Sequence, residues 1–101
     1  MPAEPLSAHD VETGLRDLPG WERDGDRIAR TYRLPSHFAA AALTVHVAQI
    51  QEELDHHSEL TLDYRTVRVA VHTHDAGGAI TARDLTLAGR IEAIAPGHGA
   101  E

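Results

Sequence analysis

The segment from Pro35 to Asp55 constrains the fold more than any other. Ser36 is placed to cap a helix, and Phe38 through Leu54 is rich in Ala, Leu, Gln and Glu, with Leu43, Val47, Ile50 and Leu54 along one stripe. Such a helix needs a partner for its apolar face, and both flanks offer hairpins. Before it, Trp21-Glu22-Arg23 leads into the turn Asp24-Gly25-Asp26 and a return strand from Arg27 to Leu34. After it, Leu60 to Tyr64 and Thr66 to His72 are β-branched and alternating, with a tight antiparallel connection at Tyr64-Arg65.

Two further helices frame these elements. Ser7-Ala8-His9-Asp10 has the form of a capping box, which predicts a first helix over Ala8 to Leu18 that Pro19-Gly20 stops. Thr81-Ala82-Arg83-Asp84 repeats that form, and Leu87, Ile91 and Ile94 mark a last helix ended by Pro96-Gly97. The order α-β-β-α-β-β-α predicts an α+β fold, a four-stranded antiparallel sheet with three helices on one face. A single domain is expected over 1–95 and a disordered tail over 96–101.

Composition narrows the function classes. With no cysteine, disulfides and thiolate chemistry are excluded; with nine arginines and no lysine, so is a Schiff-base lysine. The net charge of −7 repels phosphate backbones and argues against nucleic acid. No basic region followed by an apolar run occupies Met1 to Asp10, and no stretch approaches the length of a membrane span. A cytoplasmic protein is expected.

What chemistry the chain carries is concentrated in Glu52-Glu53-Leu54-Asp55-His56-His57-Ser58-Glu59 and in Thr73-His74-Asp75. Imidazole titrates near neutral pH, so a cluster of it beside carboxylates both gives and takes protons. Each residue also has a plainer reading. His56 and His57 at a helix C-terminus serve as a cap favoured by the dipole, Glu52 and Glu53 as solvated charges, and Asp84 as part of a capping box. His9, His37, His46 and His98 are read as ordinary surface or structural residues. His72 and His74, two apart on a strand, project from one face and with His56 or His57 would make a zinc site.

The spacing of Glu52, His56, His57, Ser58, Tyr64, His74 and Asp84 resembles the pterin-4a-carbinolamine dehydratase family. The likeness runs from Trp21 to Ile94 and includes Thr73-His74-Asp75-Ala76-Gly77-Gly78 and Asp84-Leu85-x-Leu87-Ala88. Ser58 stands where that family most often has proline, Gln51 where it has a small residue, and Leu34 where it has an aromatic. The resemblance implies dehydration of a 4a-hydroxytetrahydropterin to quinonoid dihydropterin, with neither metal nor organic cofactor. It implies His57 and His74 as acid and base, His56 assisting, and Glu52 and Asp84 orienting or polarising imidazoles. Asp55 would meet the amino-pyrimidine edge, with Ser58, Thr73 and Trp21 also at the substrate. A homodimer or homotetramer is implied, and four short strands with helices on one face leave an edge and a face to cover. The family also contains partners of a transcription factor and assembly factors for Rubisco, so a catalytically silent binding or assembly protein is the alternative.

Overall fold

The computed structural model describes residues 4–101; the first three residues of the expected domain lie outside the described residues. Ser7 accepts a hydrogen bond from the Asp10 amide at 3.1 Å and opens α1, Ala8–Leu15. The helix ends at Leu15 rather than Leu18. A residue before proline is pushed out of the helical region, so Leu18 cannot continue the helix into Pro19 and the chain unwinds a turn earlier. The hairpin follows as β1, Glu22–Asp24, and β2, Arg27–Arg33, joined by Gly25-Asp26. Gly25 takes φ +64, the positive value that tight hairpin turns need and that costs glycine nothing.

Ser36 caps α2, His37–Leu54, by accepting from the Ala39 amide at 3.0 Å. Then come β3, Glu59–Leu62, β4, Thr66–Val71, a 3-10 turn over His74–Ala76 and α3, Ala82–Ile94. The sheet order is β1-β2-β4-β3 and every pairing is antiparallel. Register places Ile28 opposite Val71 and Tyr32 opposite Val67, so alternation sends Ile28, Tyr32, Val67, Val69 and Val71 to the helical side. There they meet Leu43, Val47 and Ile50 of α2 and Leu87 and Ile91 of α3, all buried in one core. Fully burying one such side chain contributes about 1.5–3 kcal/mol. The α+β architecture and its element order match the expectation.

The expected disordered tail is different. Residues 95–98 form a 3-10 turn, Gly99 reverses the chain at φ +82, and Glu101 exchanges two backbone hydrogen bonds with Arg33, of 3.0 and 2.9 Å. Pro96 and Gly97 end the helix as expected, but buried Ala95 anchors the segment and returns it to the end of β2. Among the described residues no helix is long and apolar enough to cross a membrane.

At the far side of the core from α2's C-terminus one carboxylate oxygen gathers three donors. Glu92 Oε1 accepts from the Tyr32 hydroxyl at 2.7 Å, Arg30 at 3.1 Å and the Trp21 indole at 3.3 Å. Burial, and then the hydrogen bond and charge of Glu92, push the Tyr32 phenol well above its ordinary value. The folded state therefore holds this proton more tightly than the unfolded chain does. Its contribution is fully present below about pH 10 and declines as pH rises beyond that, at up to about 1.4 kcal/mol per pH unit. Urea unfolding between pH 9 and 11 should show this alkaline loss in the wild type and a shallower one in Tyr32→Phe, which has no phenol proton to lose.

Candidate active site

At the end of α2 the backbone makes a sharp, defined exit. Asp55 adopts the left-handed conformation (φ 49, ψ 46), the one non-glycine residue with positive φ among those described. Its amide bonds the Glu52 carbonyl at 3.2 Å and the His56 amide bonds the Gln51 carbonyl at 3.0 Å, the paired bonds of a Schellman motif. Glycine is the usual occupant, and a side chain here costs about 1–2 kcal/mol. The Asp55 carboxylate is held at the edge of a cleft despite that cost.

The reversal sends His56 inward and His57 outward. His56 is 6% exposed, and its Nε2 donates to Asp84 Oδ1 at 2.6 Å. Asp84 is fully buried. Its other oxygen, Oδ2, accepts from the Thr81 amide at 2.8 Å and the Thr73 hydroxyl at 2.9 Å. The helix-cap reading and the imidazole-orienting reading of Asp84 are therefore both met, one by each oxygen. Full burial keeps the carboxylate out of direct contact with the cleft, and its hydrogen bond to Nε2 fixes the His56 ring.

The cleft in front of this network has a volume of about 300 Å³. Four imidazoles line it, those of His56, His57, His72 and His74, together with Asp55, Thr73, Asp75 and Arg83. His57 and His74 are exposed. They arrive from different segments, one past α2 and the other opening the 3-10 turn after β4. A somewhat larger depression of about 380 Å³ on the open sheet face is lined by Arg23, Arg30 and Arg68 with Glu22 and Asp24, and contains no imidazole. The imidazoles, the groups suited to proton transfer near neutral pH, line the smaller one.

Five of the expected site residues thus meet in the cleft, with Asp84 behind them, and three stand apart. Glu52 is exposed and makes no side-chain hydrogen bond to an imidazole among the described residues, because the Schellman reversal carries His56 and His57 off the helix face that bears it. Trp21 is 4% exposed and donates to Tyr32 and Glu92, so it is a core residue and not a cleft wall. Ser58 turns away from the cleft: its amide, at 2.9 Å, and its hydroxyl both donate to the buried Gln51 side-chain carbonyl. The two departures from the family pattern therefore answer each other, since proline at 58 has no N–H for Gln51.

Arg83 escaped the sequence reading. Its guanidinium donates to the Asp55 carbonyl at 2.9 Å and approaches Asp75 at 3.9 Å, tying the cleft's two sides. The available signal was a cation in the first turn of a helix, where the macrodipole disfavours it. His72 and His74 do share one side of the chain, yet among the described residues no group of three His, Asp or Glu side chains is arranged to hold a metal ion.

Comparison with known proteins identifies the family. The family model for Pterin 4 alpha carbinolamine dehydratase matches residues 4–94. A Streptomyces avermitilis protein named "Putative pterin-4-alpha-carbinolamine dehydratase" is 64% identical over 99% of each chain, and one of the same name from Streptomyces coelicolor is 66% identical over the same shares. A transcriptional coactivator/pterin dehydratase from Brucella melitensis superposes with a TM-score of 0.84 at 28% identity, covering 89% of this chain and 97% of that one. A pterin dehydratase-like protein described as a RuBisCO assembly factor shares the fold, with a TM-score of 0.63 at 17% identity over 74% of this chain and 88% of its own. The chain belongs to the pterin 4α-carbinolamine dehydratase family.

Removing Asp84 should unfasten the site and the fold together. It leaves the buried His56 ring N–H and Thr81 amide without an acceptor, so Asp84→Ala should cost about 3–5 kcal/mol in chemical denaturation. Glu52→Ala, at an exposed position, should stay within about 0.5 kcal/mol of the wild type.

Proposed function

We propose that this chain catalyses the dehydration of a 4a-hydroxytetrahydropterin to quinonoid dihydropterin and water, as part of tetrahydropterin recycling. The observation that carries the reading is the pair of exposed imidazoles, His57 and His74, reaching one cleft from separate segments. The reaction needs one proton placed on the leaving 4a-hydroxyl and one removed from N5. As the C4a–O bond breaks, the N5 lone pair forms the C4a=N5 bond, water departs and the N5 proton passes to the base. One imidazole gives and the other takes, so the pair returns to its starting charge through exchange with solvent.

His56 assists from the floor. With Nε2 committed to Asp84, its ring is fixed, and it orients the substrate rather than diffusing through rotamers. Asp55 and Asp75 supply acceptors for the amino and ring N–H groups of a pterin, and Arg83 holds the two aspartates' segments in place.

A binding or assembly role is the competing reading, favoured by exposed Phe38 and Val45 on one face of α2, which are 83% and 71% accessible. The same face supports self-association into a homodimer or homotetramer. Light scattering on the purified protein should give a mass at least twice the 11.0 kDa of one chain; a monomer at working concentration would count against assembly.

Turnover separates enzyme from scaffold. His57→Ala and His74→Ala should each lose about 10² to 10⁴ in kcat while a dihydropterin still binds. His37→Ala is the control, since His37 sits at the opposite end of α2 against the Tyr64 carbonyl. Should His57→Ala melt earlier and still turn over at the wild-type rate, His57 is a helix-end residue and not a proton carrier.

A further inference from the structure

One imidazole of the cleft has no part in the chemistry above. Thr73 is extended (φ −96, ψ 109), so His72 and His74 project to one side while Thr73 turns inward to Asp84. His72 thereby lines the cleft. Its Nδ1 is buried and, among the described residues, is the buried side-chain polar atom with no hydrogen-bond partner. That edge of the ring packs toward Gly78, where even a Cβ would lie 3.7 Å from Nδ1 and Cε1. A buried donor left unmet costs more than an unmet acceptor, which favours the tautomer with Nδ1 bare and the hydrogen on Nε2. Among the described residues Nε2 makes no hydrogen bond and is not one of the buried atoms left without a partner, and the ring to which it belongs lines the cleft.

The remaining polar groups make that donor matter. The carboxylates of Asp55 and Asp75 accept only, and Arg83 gives one N–H to the Asp55 carbonyl at 2.9 Å and lies 3.9 Å from the Asp75 carboxylate. A 2-amino-4-oxopteridine presents donors that carboxylates satisfy and also a ring carbonyl that they repel. We propose that His72 is a specificity-determining residue whose Nε2–H donates to the 4-oxo group of the bound pterin. This rests on the pterin reading of the cleft and adds the contact by which the cleft tells an oxo from an amino substituent.

Calorimetric binding of 7,8-dihydropterin and of its 2,4-diamino counterpart, in which a donor replaces the carbonyl, tests it on the wild type, His72→Leu and His72→Gln. The wild type should prefer the oxo ligand. His72→Leu should bind that ligand about 3- to 10-fold more weakly, the range expected for one lost hydrogen bond, with no loss for the diamino ligand. His72→Gln, whose side-chain amide can reach the position of Nε2, should recover most of the preference. The melting temperature of His72→Leu should hold or rise, because the substitution removes an unpartnered buried polar atom; a purely structural role predicts a fall. Binding of both ligands by His72→Leu at wild-type affinity overturns the proposal and leaves the dehydratase reading intact. So does an altered pH profile of turnover in both variants without rescue by Gln, which makes His72 a proton carrier. A wild type that binds neither ligand overturns both readings.

Discussion

Asp84 has no contact with water, and a carboxylate is tolerated in that position only where donors replace its lost hydration. Those donors come from three segments: the Thr81 amide at the start of α3, the Thr73 hydroxyl past the end of β4, and the His56 ring past the end of α2. Thr73 and Thr81 are further joined hydroxyl to hydroxyl at 2.6 Å. The cleft is the outer surface of this knot. Its lining residues are neighbours in sequence of the residues that Asp84 holds, so the geometry of His57 and His74 follows from the satisfaction of one buried charge.

The Schellman reversal at Asp55 is the second constraint, and it divides labour between adjacent histidines. On a continuing helix His56 and His57 would lie about 100° apart on one cylinder. The left-handed residue before them instead swings the chain so that one ring enters the interior and the other stays in solvent. The buried ring is fixed by a carboxylate, and the outer one retains access to protons. Gln51 steadies the same turn from below by accepting from the Ser58 amide and hydroxyl.

The opposite end of the molecule has a comparable knot with no cleft in front of it. Glu92, Tyr32, Trp21 and Arg30 tie α3 to β2 and to the segment before β1. Both knots anchor α3 to the sheet side of the core, one near its N-terminus and one near its C-terminus. That disposition explains why Trp21 belongs to the fold and not to the site, although its place in the family pattern suggested a ligand contact.

Sequence alone determined the elements and their order, because caps, turn residues and apolar periodicity act between residues at most four or so apart. Ser36, Gly25 and the Thr81 capping box do in the structure what their local chemistry required. The pairing of His56-His57 with His74 was legible as well, as a spacing that a known family shares. Which side each ring faces was not. It depends on the direction the chain takes after Asp55 and on where Asp84 arrives from α3, a contact 28 residues distant in sequence. Glu52, Ser58 and Trp21 left the site, Arg83 entered it, and the tail docked on β2 for that same reason. Each outcome is set by long-range placement of side chains, on which local pattern has no hold.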